Sequence, residues 1–136
     1  MTNPKYFTLQ ELLASKAAVQ KKIVNLPSWE QVDNLLELAF MLDKIRVKLG
    51  KPISVTSGFR SDKLNSAIGG AKNSQHKNGE AADLECYDNR VLFNTIKSMM
   101  DSGEIVVGQL IDEYNYSWVH VSLPTEKLKN QVLHIK

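Results

Sequence analysis

Three histidines, His76, His120 and His134, and a few carboxylates hold most of the reactive chemistry of this chain. In Ser74-Gln75-His76-Lys77-Asn78-Gly79-Glu80-Ala81-Ala82-Asp83 an aspartate follows a histidine by seven residues. Gly79 permits a turn between them, so a loop-borne His76 and a strand-borne Asp83 can converge on one point. Ser117-Trp118-Val119-His120-Val121-Ser122 alternates as a strand does. Trp118, His120 and Ser122 therefore share one face, and Val119 and Val121 the other. Two imidazoles and one carboxylate suit a catalytic zinc, which takes three protein ligands and keeps a fourth position for water. Spacing alone leaves a plainer reading open, because a histidine on a strand also serves as an ordinary hydrogen-bonded sheet residue. Arg60 has two readings as well. Its guanidinium can grip a carboxylate or an oxyanion, or close a loop through a salt bridge.

The elements that must position these residues fall into two blocks. Thr8 caps a short helix running to about residue 15, with Glu11 completing a capping box. Residues 17–24 add a turn or two. Ser28 opens the longest helix, with Gln31 three residues on; Val32, Leu35, Leu36, Leu38, Ala39, Leu42, Ile45, Val47 and Leu49 form a broad apolar stripe that Gly50 and Pro52 end. After Pro52 the character changes. Ile53-Ser54-Val55-Thr56 reads as a strand; residues 61–78 are polar and hold a possible short helix at 62–68. Strands follow at 80–87, 105–112, 117–123 and 131–135, with a helix capped by Asp88 and ending near Gly103 between the first two. Helices first and strands afterwards favour an α+β fold, with N-terminal helices packed on a mainly antiparallel sheet. No repeat, linker or low-complexity segment divides residues 1–136, which read as one domain.

Composition narrows the class further. The 136 residues carry 17 Lys and Arg against 15 Asp and Glu, a formal charge of +2. That balance gives no basic face for nucleic acid, and no apolar run reaches the roughly 18–20 residues of a membrane span. The first residues lack the charged and apolar regions of a signal peptide, so synthesis as a cytoplasmic species is expected. One cysteine, Cys86, excludes an internal disulfide and any cysteine-based zinc motif. It reads as a small apolar strand residue, and His134 as an ordinary sheet residue rather than a fourth ligand. Lys44, Arg46, Lys48 and Lys51 make a solvated basic helix end.

A resemblance sharpens this reading. Ser57-Gly58-Phe59-Arg60-Ser61, Asn65, Gly69-Gly70-Ala71, Ser74-x-His76-x-x-Gly79-x-Ala81-x-Asp83 and Trp118-Val119-His120-Val121-Ser122 together resemble the peptidase M15 family. Its members are zinc D-Ala-D-Ala carboxypeptidases, dipeptidases and L-Ala-D-Glu endopeptidases of bacterial cell-wall peptides, and its fold is shared with the Hedgehog signalling domain. Tyr6-Phe7-Thr8-Leu9-Gln10-Glu11-Leu12 with Ser15 resembles the small single-domain branch common in phages and prophages.

The resemblance implies that His76, Asp83 and His120 hold one zinc ion and that Arg60 lies in the active site. Members of the family carry a glutamate a few residues before the last histidine, some with a second histidine two positions before it. Here position 117 is serine and position 118 tryptophan. Glu113 is the nearest glutamate, and a short turn at 114–116 would return it beside His120 as general base; Asp112 is the fallback, on the opposite face by alternation. Ser74 either binds substrate or fixes its loop, and Asp112 or Gln109 is a candidate to orient a ligand histidine. The expected partner is a peptidoglycan stem peptide bound by a monomer, cut at the cell wall after release or delivery, with no nucleic acid and no membrane insertion. The alternative is a catalytically silent metal-containing module that binds wall peptide or a phage partner.

Overall fold

A computed structural model describes residues 3–136. The N-terminal block is helical: α1 (Leu9–Leu13), α2 (Lys16–Gln20) and α3 (Trp29–Leu49). Both anticipated capping boxes form, Thr8 with Glu11 and Ser28 with Gln31. Gly50 ends α3 in the left-handed region at φ 72°, a conformation that glycine adopts without the Cβ penalty. Next come β1 (Ser54–Ser57), α4 (Asp62–Ala67), a single 3-10 turn at Gln75–Asn78, β2 (Ala81–Glu85) and α5 (Asn89–Asp101). The chain closes with β3 (Gln109–Glu113), β4 (Trp118–Ser122) and β5 (Gln131–Ile135).

The five strands form one sheet in the order β1-β2-β4-β3-β5. Three neighbouring pairs are antiparallel and the last, β3 with β5, is parallel. The mainly antiparallel α+β arrangement expected from the sequence is therefore present, with one parallel edge. The strand expected from residue 105 starts only at Gln109. Asn130 contributes to the delay: its side chain accepts from Val107 N at 3.0 Å and its own N–H donates to Val107 O at 2.6 Å, so the Val107 backbone is bound by a loop instead of a strand.

One face of the sheet is the core. Ala82, Leu84, Leu110, Val119 and Val121 pack beneath Leu35, Leu38, Leu42 and Ile45 of α3 and Leu92, Phe93 and Ile96 of α5, all buried. At about 25 cal/mol per Å² of apolar surface removed from water, this stripe-on-sheet contact is what the long apolar face of α3 is for. Alternation then turns Asp83, His120 and Ser122 to the other face. The α1 end is tied to the segment after β1 by Phe59 N donating to Leu12 O at 2.7 Å. Gly58 makes that approach possible, since a Cβ there would stand 2.2 Å from Leu12 O.

Candidate metal centre and active site

Asp83 and His120 are direct cross-strand partners on β2 and β4, so their side chains leave the sheet side by side on the same face. His76 arrives from the 3-10 turn. Ser74 caps that turn by accepting from His76 N at 3.2 Å, and Gly79 closes it at φ 74°. Two side chains of α3 clamp the turn from outside: Gln31 Nε2 donates to Lys77 O at 3.0 Å and Asn34 Nδ2 to Asn78 O at 2.9 Å. Arg60 N donates to His76 O at 3.0 Å. The turn anticipated at Gly79 thus exists, and the longest helix fixes where it points.

All three side chains are buried, with 3%, 7% and 7% exposure for His76, Asp83 and His120. One potential ligand atom from each lies within 4.8 Å of the others. His76 Nε2 is 3.3 Å and His120 Nδ1 3.0 Å from Asp83 Oδ1, and the two rings meet edge to face at 5.2 Å. Around a tetrahedral zinc with bonds of about 2.0–2.1 Å, neighbouring ligands stand about 3.3 Å apart. The two distances from the histidine nitrogens to Asp83 Oδ1 have that spacing.

Hydrogen bonds behind the triad assign the imidazole tautomers. The Gly58 carbonyl can only accept, so at 2.8 Å it fixes the proton of His76 on Nδ1. Gln75 Oε1 lies 2.9 Å from His120 Nε2 and fixes the proton there. Each neutral ring then presents its bare nitrogen to Asp83 Oδ1. Three acceptor atoms face one another, an arrangement that requires positive charge among them, supplied by a metal ion or by protons on the rings. Burial pushes the Asp83 carboxyl up. When the rings themselves carry the positive charge as protons, hydrogen bonds from His120 and His76, and their charges, outweigh it and hold the group well below the usual carboxylate range. The donor set of two imidazoles and one carboxylate fits zinc.

The second carboxylate oxygen, Asp83 Oδ2, is 3.5 Å from Arg60 Nη2. Arg60 is also held by Ser57 Oγ, which accepts from Nε at 3.1 Å, and by Asn65 Oδ1, which accepts from Nη1 at 3.3 Å. Burial lowers its pKa, while the charges of Asp83 and Glu113 pull it back up. The guanidinium remains a cation at neutral pH. Arg60 therefore closes a salt bridge and faces the site at once.

Arg60, the triad, Glu113 and Trp118 line one cavity of about 520 Å³. Glu113 reaches it by strand parity: Ile111 pairs with His120 and Glu113 with Trp118 across the β3–β4 hairpin. Trp118 Nε1 donates to Glu113 Oε2 at 2.9 Å. The intervening turn sets Tyr114, Asn115 and Tyr116 at φ 51°, 56° and 62°, a left-handed run that costs roughly 1–2 kcal/mol for each non-glycine residue. It is held by Ser117 Oγ donating to Tyr114 O at 2.7 Å and Asn89 Nδ2 donating to Tyr116 O at 3.0 Å.

Other candidates lie elsewhere. Asp112 points to the core face, where its buried carboxylate bonds His134 Nδ1. His134 in turn packs on Phe93 at 5.3 Å, away from the triad. Gln109 Nε2 donates to Gln131 at 2.5 Å, so neither Asp112 nor Gln109 orients His76 or His120. Gly58 and Gln75 do. Ser74 lines the cavity and fixes its loop. The Sγ of Cys86 bonds Asp88 O at 3.1 Å, and burial pushes its thiol up, which disfavours the thiolate. Sequence reasoning missed Gln75, whose only signal is adjacency to His76. It also missed Asn25, whose amide bonds Leu13 O and Phe59 O and accepts from Ser61 N at 2.8 Å, strapping the Arg60 segment to the helices.

Comparison with known proteins agrees with this geometry. The profile of a family described as Peptidase M15 matches residues 5–122. A relative described as zinc D-Ala-D-Ala carboxypeptidase, from Streptomyces albus G, is 50% identical over 52 residues. That stretch is 38% of this chain and 20% of the relative, so the chain matches about a fifth of that protein's length.

Proposed function

This chain belongs to the peptidase M15 family, and from that premise we propose that it is a zinc metallopeptidase hydrolysing peptide bonds of bacterial peptidoglycan stem peptides. The observation that carries the reading is the convergence of His76, Asp83 and His120 within 4.8 Å, in a cavity that also admits Glu113 and Arg60. The bond is one of the two cut in this family, D-Ala-D-Ala or L-Ala-D-Glu. The place of action is the bacterial wall, reached by release or delivery as for a phage lysin.

His76, Asp83 and His120 would hold the ion. Zinc bound there supplies Lewis acidity toward the scissile carbonyl and lowers the pKa of water to about 7. The remaining chemistry falls to the chain. Glu113, fixed through one oxygen by Trp118, has its other oxygen to take the proton of the attacking water and return it to the leaving amine. Arg60 stabilises the negative charge developing on the carbonyl oxygen, or binds a substrate carboxylate. Ser74 and Gln75 shape the wall on the His76 side. Glu113 on the cavity face favours catalysis over a silent binding module.

The test is hydrolysis of purified stem peptides by the zinc-loaded protein beside Glu113→Gln and His120→Ala, with product masses identifying the bond. We expect Glu113→Gln to retain zinc and lose about 10²–10⁴-fold in kcat, and His120→Ala to lose both zinc and cleavage. A wild type that binds zinc and cuts no wall peptide overturns the reading in favour of the silent module.

A further inference from the structure

The four large apolar side chains with the greatest exposure among the described residues are Trp29 at 86%, Val19 at 78%, Leu26 at 73% and Val24 at 72%. All four fall between residues 19 and 29. From Leu12 to Trp29 the chain carries three lysines, Lys16, Lys21 and Lys22, and no aspartate or glutamate. We propose that this stretch is a docking surface for an anionic lipid bilayer, its apolar side chains entering the headgroup boundary and its lysines meeting the lipid phosphates. The proposal goes beyond the peptidase reading and does not depend on it.

Local structure gathers the patch. Ile23, Asn25 and Pro27 are half-buried, while Val24, Leu26 and Ser28 are exposed. That period-2 alternation puts Val24 and Leu26 on one outward side. Ile23 N donates to Ala18 O at 2.9 Å and Lys22 N to Val19 O at 3.2 Å, which bends the chain back against the end of α2 and keeps Val19 beside the start of the run. Trp29, the first residue of α3, stands at its other end. Lys16, Lys21 and Lys22 make no salt bridge among the described residues, so their charges are free to meet an outside anion.

Asn25, between Val24 and Leu26, turns inward and anchors the run. Its Nδ2 donates to Leu13 O at 3.1 Å and Phe59 O at 3.0 Å, and its Oδ1 accepts from Ser61 N at 2.8 Å. The patch is thereby tied to the chain on both sides of Arg60. Docking would carry the catalytic domain, with its Arg60 segment, at the bilayer surface.

Chemistry selects the occupant. Single exposed apolar residues are ordinary. Four in one stretch beside unpaired cations match an interfacial surface, with aliphatic side chains and tryptophan for the acyl boundary and lysine for anionic headgroups. A phosphate-rich polymer would pair the lysines and leave Val19, Val24 and Leu26 in water. A second copy packed two-fold on this surface would set lysines against lysines with no carboxylate from the stretch between them. The contact lies on a bilayer and spans nothing; no described helix is long and apolar enough to cross one.

The experiment measures partition of the full chain onto vesicles of equal parts phosphatidylglycerol and phosphatidylcholine, and onto phosphatidylcholine alone, by sedimentation. Wild type should favour the anionic vesicles by tenfold or more, and high salt should weaken that binding. Leu26→Ser with Trp29→Ser, and separately Lys21→Glu with Lys22→Glu, should each lower it about tenfold or more. The emission assigned to Trp29, read as wild type minus Trp29→Ser, should move to shorter wavelength on the anionic vesicles alone. Hydrolysis of soluble stem peptide should be the same in wild type and both variants, so loss of lipid binding and loss of peptidase activity are separate results. Wild type that stays in solution beside anionic vesicles overturns the proposal, as does binding that both variants retain. Binding to purified wall sacculi without binding to vesicles assigns the patch to a wall polymer instead. A concentration-dependent dimer that both variants abolish, again without vesicle binding, assigns it to a second copy.

Discussion

The indole N–H of Trp118 donates to Glu113 Oε2 at 2.9 Å across the β3–β4 hairpin. Tyr114 packs on the same indole at 5.1 Å, so both the ring and the carboxylate it holds are restrained. One oxygen of Glu113 is thereby committed to a protein partner, and the side chain lines the cavity. A base that must meet a water within hydrogen-bond reach gains from that restriction.

Trp118→Phe keeps an aromatic ring against Tyr114 and removes only the donor. A hydrogen bond to a charged group is worth about 1.5–3 kcal/mol, so kcat should fall by about 10- to 100-fold with KM within about twofold. Zinc content should not change. The indole proton resonance of Trp118 should move in Glu113→Gln, independently of any turnover. An unchanged kcat with an unchanged resonance would remove Trp118 from the positioning of Glu113.

Gln75→Leu removes the acceptor that fixes the His120 tautomer. Partners behind a ligand histidine typically contribute 10- to 100-fold in metal affinity, and a loss of that size should appear in competition against a chromophoric chelator. Zinc at 100 times its Kd stabilises a protein by about 2.7 kcal/mol. Chelation should accordingly lower the Tm of wild type by several degrees and that of His120→Ala not at all. Equal zinc affinity in Gln75→Leu and wild type would show that the ring needs no such partner.

Gly58→Ala places a methyl group 2.2 Å from Leu12 O, against backbone that cannot rotate away. Overpacking of this kind costs about 1–3 kcal/mol, visible as a lower denaturation midpoint. The Gly58 carbonyl also holds His76 Nδ1 at 2.8 Å, so zinc affinity should fall with stability. A variant with wild-type midpoint and affinity would mean that α1 moves aside freely.

Whatever depends on a few neighbouring residues was legible before any coordinates. The capping boxes at Thr8 and Ser28 are side chains reaching three residues along their own backbone, and the end of α3 at Gly50 is a local property of one residue. Period-2 alternation alone assigns His120 to one face of β4 and its valines to the other. The turn at Gly79 between His76 and Asp83 is a matter of spacing. Those signals sufficed for the α+β class and made His76, Asp83 and His120 candidates; the resemblance to the M15 family singled them out.

Register was decided elsewhere. That Asp83 stands directly opposite His120, and Glu113 opposite Trp118, follows from how β2, β4 and β3 slide past one another. A slip of one residue would send the whole set to the other face. The hairpin register rests on three consecutive left-handed residues, Tyr114, Asn115 and Tyr116, of which only the asparagine is a type that favours that conformation. Gln75, the Gly58 carbonyl and the Asn25 strap act through contacts between distant parts of the chain, from |i−j| of 12 for Asn25 with Leu13 to 45 for Gln75 with His120. Sequence determined which side chains are available to the centre, because residue type and short-range period are local. Only the folded chain decided how they are oriented, because register and the partners behind each ligand are set by the burial of one whole sheet face beneath α3 and α5.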